Sequence, residues 1–389
     1  MTTSIARPPV LVVIQLAGGL DFLNTVIPFQ SGIIRDARPT VAVPAEETLP
    51  LNNELAWHPA VAPLKELYDD GKVAVIQGAG WEHQGGPGAD RSHFRATDIW
   101  HTCTPDKIST EGWLGKLTRE FDPQSQNPVT AVNFGLGLPR ALAAPGVTVT
   151  SVDSLDRFGL MTEIELEQER AKDLDSFKRM YTPAVGTAMV QEYLAQTGLS
   201  VLQSAEILAD APEQYASEVE YGSSPIAQAL RDVVRVHTAG LGARIFYTLQ
   251  RGYDTHSGQN DQLPVLLAQL SEAIRDFIQD LRNHNASEEV TILVFTEFGR
   301  RIRDNGSGTD HGSGGGAYLI GDGVRGGLYG EYPSLDPNDW LYGEDLSHTI
   351  DFRSIYSTVL DQWLGVDPTE IVGGRFEQIR PYREPIGVG

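Results

Sequence analysis

The sequence predicts an α/β protein: a mostly parallel central sheet, helices on both faces and a largely helical insertion. Three observations lead there. Residues 10–16 and 290–296 are apolar, β-branched runs without helical period, the pattern of interior strands buried on both faces. Amphipathic stretches of helical spacing separate the strand-like runs. Polar residues able to do chemistry follow the strand-like runs at their carboxyl ends, where open α/β sheets bind ligands.

The chain has 389 residues, 41% hydrophobic and 21% charged, with a net charge of −22. That length suffices for one large α/β domain or two smaller ones. The sequence shows no internal repeat and no low-complexity tail. The acidic balance argues against nucleic acid as a partner, since phosphates call for a basic face. It also demands local positive charge, from metal ions or arginines, wherever an anionic substrate binds. The single cysteine, Cys103, excludes an internal disulfide and a cysteine-rich zinc site, and reads as a small buried hydrophobe. No apolar run reaches the ~18–20 residues needed to span a bilayer. The apolar run near the N-terminus passes into Gly18-Gly19 without a small-residue cleavage site, so it reads as a strand. A cytoplasmic location is therefore expected, with export open if a leader has been removed.

Residues 10–16 form the first strand. Gly18 and Gly19 allow a tight turn, and Asp21, Asn24 and Thr25 follow over the sheet edge. An acid at this place is either a metal ligand or the cap of the next helix. Residues 31–52, rich in Pro, Arg and Thr, make an excursion over the surface. A helix is predicted over 55–70, ended by Gly71, with His58 near its start as a structural residue. Residues 73–76 are the second strand.

The stretch 78–103 then delivers Asp90, Arg91, Ser92 and His93 to a helix over 94–101. A helix N-terminus presents free N–H groups and a positive dipole end, a setting for phosphate or sulfate. Ser92 is accordingly either a nucleophile, with Arg91 or Arg95 on the anion's oxygens, or simply the helix cap. His93 is a candidate ligand, proton carrier or support for a ligand. His83 and His101 are weaker candidates.

Strands are predicted over 129–134 and, at an edge, 145–151. Residues 153–240 read as largely helical, with helices over 160–179, 184–199 and 226–239. The acidic run 163–169 reads as a solvated face, and His237 as packed. A strand over 243–249 leads to Asp254 and His256. Two residues apart in an extended segment, their side chains point to one side and make a two-point metal grip. A long helix over 263–282 follows, with His284 placed to meet the negative end of its dipole. The strand over 290–296 then releases Glu297 and runs into a glycine-rich loop carrying Asp310 and His311. This acid and imidazole suit a Zn, Mn or Mg ion, or belong to an ordinary solvated turn. A strand over 317–320, a turn-rich segment containing Arg325 and a helix over 349–364, with Asp351 at its start, complete the chain.

The motifs LAGGLDFLNTV (16–26), RSHFRATDIW (91–100), GYDTHSGQ (252–259), TEFGRRIRDNGSGTDHG (296–312) and IDFRSIYSTVLDQWLG (350–365) together resemble the bacterial DUF1501 family over nearly the whole chain. That family is similar to the alkaline phosphatase-like superfamily of phosphatases, sulfatases, phosphodiesterases and cofactor-independent phosphoglycerate mutases. The resemblance implies an alkaline phosphatase-like three-layer sandwich with a site for two divalent ions (Zn, Mn, Mg or Ca) at the strand ends. In that frame Asp21 matches the acid that binds metal after the first strand. Ser92 matches the nucleophile, with Thr25 the alternative, and Asp254 and His256 match a metal-binding pair. The superfamily's Asp-His pair at a strand end is absent as such, because Thr296-Glu297-Phe298 stands there. Either Asp310-His311 is that pair displaced, or Glu297 replaces its acid and His311 is a later histidine; His311 is a ligand in both alignments.

The expected function is metal-dependent hydrolysis of a small phosphate or sulfate ester through Ser92, with Arg91, Arg95 or Arg325 on the anion. The alternatives are a non-catalytic binding or scaffold protein and a phosphoryl-transferring mutase.

Overall fold

In the computed structural model the described residues are 7–82, 91–157, 172, 175–176, 203–205, 207–208, 211 and 215–383. Their central sheet has nine strands: β1 (Val10–Ala17), β2 (Val73–Gly80), β3 (Ala131–Phe134), β4 (Thr150–Val152), β5 (Ile245–Arg251), β6 (Val290–Thr296), β7 (Gly315–Ile320), β8 (Gly327–Tyr329) and β9 (Ile350–Asp351). The order across it is β8-β2-β7-β6-β1-β5-β3-β4, with β9 beside β2. β1 lies inside, parallel to both β5 and β6, so that Leu11 stands opposite Ile245 on one side and Thr291 on the other. β3 and β4 extend the parallel set beyond β5. β7 runs antiparallel to β2 and β6.

Helices among the described residues that cover the two faces include α1 (Ala62–Asp69), α2 (His93–Thr102), α3 (Trp113–Phe121), α4 (Pro225–Thr238), α5 (Gln259–Asn283) and α6 (Phe352–Thr358). Val10, Val12, Ile14 and Leu16 of β1 pack into the layer of α1, α4 and α5, where Leu64, Leu230 and Ile274 are buried. Leu11 and Val13 pack into the opposite layer of α2, α3 and α6, with Trp100, Trp113 and Tyr356. This two-sided burial explains why β1 reads as a continuous apolar run. At about 1.5–3 kcal/mol for each buried aliphatic side chain, β1 alone contributes on the order of 10 kcal/mol before chain entropy opposes it. The expected three-layer arrangement with a mostly parallel sheet is present.

The structure corrects three local expectations. The helix expected over 55–70 starts only at Ala62. Pro59 holds His58 in an extended conformation, and Ala56–Trp57 pairs with Val26–Ile27 instead. The glycine-rich loop after Glu297 is a β-ribbon, with Arg300–Asp304 antiparallel to Thr309–His311. The last helix stays α-helical only to Thr358 and widens into a π-turn over Val359–Trp363. Apart from residues 172 and 175–176, the helices expected over 160–179 and 184–199, the acidic run 163–169, His83 and Asp90 lie outside the described residues. The helix expected over 226–239 is α4, capped by Ser224.

Several bland readings hold. His58 Nδ1 accepts from the Ala60 N–H, His237 is buried beside Glu289, His284 Nδ1 meets the Asp280 carbonyl at the end of α5, and Cys103 is buried. Among the described residues no helix is long and apolar enough to cross a membrane.

Candidate metal centre

Four segments meet at the carboxyl edge of the sheet: the turn after β1, the segment after β5, the end of β6 with its ribbon, and the first residue of α2. Glycine makes two of these contacts close. Gly18 has φ +125°, and a Cβ there would lie 2.3 Å from the Asp254 nitrogen. At Gly308 a Cβ would lie 2.1 Å from the Thr255 carbonyl oxygen, so only glycine lets the ribbon rest on the Asp254–His256 segment.

His93, Asp254 and His311 come together there, with one ligand atom from each inside a 4.8 Å span. His311 Nε2 is 2.9 Å from Asp254 Oδ1, and His93 Nε2 is 3.4 Å from Asp254 Oδ2. His256 joins from the side, its Nε2 3.1 Å from Asp254 Oδ1 and 2.9 Å from His311 Nε2.

The other nitrogen of each ring is engaged. His93 Nδ1 bonds Glu297 Oε1 at 2.9 Å, His256 Nδ1 bonds Asp310 Oδ1 at 2.9 Å, and His311 Nδ1 bonds the Arg91 carbonyl oxygen at 2.8 Å. Carboxylates and carbonyls only accept, so each Nδ1 carries the hydrogen. In a neutral ring the lone pair then sits on Nε2. Three Nε2 lone pairs are thus aimed at the space around one carboxylate.

Asp254 is held ionised. Burial acts to raise its carboxyl, but the hydrogen bond and the charge of Arg300 bring it down to about 2. Arg300 is itself buried. Its guanidinium donates to the carbonyls of Gly18, Gly19, Tyr253 and Thr309 as well as to Asp254 Oδ1 at 2.6 Å, and so ties three chain segments together. The hydrogen bond to Glu297 raises His93 above an ordinary imidazole, against the effect of its burial, whereas burial lowers His311.

The residues expected at the site divide into groups. His93, Asp254, His256 and His311 converge. Glu297 and Asp310 stand one step back and orient rings: Glu297 Oε1 also accepts the Gly18 N–H at 2.8 Å, and Asp310 also accepts from Asn305. Asp21 is not brought into the cluster. Its two oxygens meet Arg38 Nη1 at 2.9 and 2.8 Å, and Gln259 Nε2 at 2.6 Å. Thr25 donates to the Asp21 carbonyl and is buried. Ser92 is the N-cap residue of α2, immediately before His93, and its hydroxyl makes no capping bond. Arg91 is paired with Glu344 and Asp345, Arg95 with Asp98 and loop carbonyls, and Arg325 with the Arg380 carbonyl. Sequence reasoning missed Arg38, Gln259 and Arg300; no periodicity or spacing marks them out.

The residues present fit one metal ion. His93 Nε2 is buried without a hydrogen-bond partner among the described residues. The facing Nε2 atoms of His256 and His311 repel one another in neutral rings unless a cation lies against both. Three imidazoles and one carboxylate are a donor set for Zn or another borderline transition ion rather than for Mg or Ca. Among the described residues no second set is assembled, and Asp21 is engaged elsewhere.

The fold and this cluster define an α/β protein whose chemistry-bearing residues gather at the strand ends. The chain belongs to the family described as "Protein of unknown function (DUF1501)", whose model matches residues 73–374. A comparison with curated proteins finds no match. Among solved structures, the chain is similar to the PsFucS1 sulfatase from Pseudoalteromonas sp. (13% identity, 96% of this chain and 71% of that one, TM-score 0.41). It is also similar to a protein in the alkaline phosphatase superfamily from Vibrio parahaemolyticus (11% identity, 98% and 72%, TM-score 0.40). A third similar structure is the phosphonate monoester hydrolase of Agrobacterium radiobacter (10% identity, 96% and 79%, TM-score 0.32).

Proposed function

We propose that the protein is a metal-dependent hydrolase of phosphate or sulfate esters, with one cation held by His93, Asp254, His256 and His311. What supports this most is the meeting of three imidazole Nε2 atoms on Asp254 while each Nδ1 hydrogen is engaged elsewhere. The resemblance implies two ions; the engagement of Asp21 by Arg38 and Gln259 favours one.

A cation at this centre would act as a Lewis acid on the ester oxygens and offset the charge that develops on them. The chain's own groups do the rest. Glu297, Asp310 and the Arg91 carbonyl keep the rings aimed, as outer partners of metal-binding histidines do. Arg300 fixes the Asp254 carboxylate and keeps it charged. Ser92 is the nucleophile of this reading. Its Oγ forms the new bond to phosphorus or sulfur as the bond to the ester oxygen breaks, and the hydroxyl proton leaves with the alcohol. Water then releases the inorganic anion and restores Ser92.

The test uses protein loaded with Zn, Mn or Fe and a panel of phosphate and sulfate esters. Wild type turns over at least one of them, and Ser92→Ala lowers kcat by orders of magnitude at unchanged metal content. Full turnover by metal-loaded Ser92→Ala removes the nucleophile assignment. No turnover of any ester by metal-loaded wild type leaves the second reading, a binding protein without catalysis. The engagement of Arg91 and Arg95 in structural ion pairs favours that reading, because neither guanidinium is free to clamp an anion.

A further inference from the structure

A cleft of about 750 Å³ opens at the carboxyl ends of β1, β5 and β3. His93 and Glu297 form the wall that it shares with the metal centre. Its size suits the organic part of a small-molecule substrate. The buried polar side chains of the cleft bond chiefly to one another or to the backbone. Gln15 Oε1 accepts from Tyr247 Oη and lies 2.9 Å from His101 Nε2. Asn133 donates to the carbonyls of Gly135 and Gly137, and Asp98 pairs with Arg95 and Arg140.

The side chains left facing the opening are mostly apolar. Phe94, Leu136 and Leu138 are 91%, 84% and 51% exposed, and all three line this cleft. They are three of the seven large hydrophobic side chains exposed among the described residues. Apolar surface gathered in one place marks a binding site; scattered singly it needs no explanation. Two arginines accompany it, and Arg140 is paired with Asp98. Arg251, the last residue of β5, lines the cleft with no ion-pair partner among the described residues. On a chain of net charge −22, such a guanidinium supplies the local positive field that an anion needs.

A polyhydroxylated sugar calls for many free donors and acceptors, and this wall offers few. An apolar group calls only for surface to cover. We infer that the substrate is a monoester of an apolar alcohol, aryl or alkyl. Its organic group lies against Phe94, Leu136 and Leu138, and its anionic head lies on the His93 side with Arg251 offsetting its charge. The inference rests on the ester-hydrolase reading and adds the class of alcohol to it.

The experiment is calorimetric titration of the full metal-loaded chain with non-hydrolysable probes: naphthylmethylphosphonate, methylphosphonate, a sugar phosphonate and naphthylmethanol. Naphthylmethylphosphonate binds about 10-fold or more tightly than methylphosphonate or the sugar phosphonate, from the apolar area that it covers. The double variant Leu136→Asp/Leu138→Asp brings it down to the methylphosphonate level; both side chains are exposed, so the fold is kept. Arg251→Ala weakens the phosphonates alike and leaves naphthylmethanol unchanged. Equal affinity for the naphthyl, methyl and sugar probes, or an aromatic preference that survives the double variant, overturns the inference while leaving ester chemistry intact. Naphthylmethanol binding as tightly as its phosphonate overturns the anionic-ester reading together with it. Self-association abolished by the double variant, with no probe bound, makes the cleft a contact between copies and also overturns it.

Discussion

Asp21 and Asp254 occupy matching places. Each follows a parallel strand of one sheet, β1 or β5, and each is paired with a buried arginine. Their surroundings differ. Asp21 is 1% exposed, and both its oxygens are held by Arg38 while Gln259 takes a further bond. The Asp254 side chain is 45% exposed, Arg300 takes only Oδ1, and Oδ2 faces His93. Position at a strand end therefore does not fix how open a carboxylate is. What decides is how much of its bonding capacity the protein leaves open. Asp21 is fully engaged and braces the fold; Asp254 is half engaged and turns outward.

The largest expected effect comes from breaking the closed pair. Arg38→Met leaves the buried Asp21 without its partner, which costs about 3–5 kcal/mol. Urea unfolding measures it, and metal content in the folded fraction stays unchanged. A loss below about 1 kcal/mol, the scale of a surface pair, would place Asp21 in a more open setting than it occupies here.

Breaking the open acid acts on metal instead. Asp254→Asn lowers metal affinity by more than the roughly 10–100-fold typical of an outer-shell change, whereas Asp21→Asn leaves it within a few-fold. Titration with Zn separates the two, and equal losses would erase the distinction between the acids. The orienting carboxylates come next. Glu297→Gln and Asp310→Asn each cost about 10–100-fold in metal affinity by loosening His93 and His256. No change in either variant would mean that these carboxylates do not set ring orientation.

Buried neutral imidazoles sharpen the contrast from the other side. Burial lowers His58 and His237 to about 4 and His101 to about 3. Above pH 6.5 these rings are neutral folded or unfolded. Below it the unfolded chain takes up protons that the folded chain does not, so stability falls from pH 6.5 towards about 4. The loss reaches up to about 1.4 kcal/mol per pH unit for each histidine. Urea unfolding of metal-free protein at several pH values shows this slope, and His101→Gln makes it shallower. An unchanged slope in that variant would mean that His101 protonates freely in the fold.

Much of this was legible in the sequence. The apolar runs at β1 and β6 announced interior parallel strands because burial on both faces leaves no polar alternation. Asp254 and His256 were legible as a pair because an extended segment sends alternate side chains to one side, and both alignments of the ribbon kept His311. Other features depend on tertiary contacts that no local pattern reports. The sequence reads Asp21 as a candidate ligand, and only the fold shows Arg38 returning from the surface excursion to pair with it. The sequence reads Glu297 and Asp310 as candidate ligands, and only the fold shows them bonded to the rings of His93 and His256. Arg300 reaches Asp254 only because the ribbon folds over the strand ends, and the glycines that read as a loose loop permit that close approach. The helix expected from residue 55 started late because the constraint of Pro59 outweighed the apolar spacing.

The central claim is a single-cation centre built on Asp254. Elemental analysis by ICP-MS, on protein purified without chelators or a polyhistidine tag, tests it most directly. One equivalent of Zn, Mn or Fe per chain is expected, lost in Asp254→Asn and in His311→Ala and retained in Asp21→Asn. Two equivalents, one of them lost in Asp21→Asn, would contradict it, as would no bound metal after incubation with each cation.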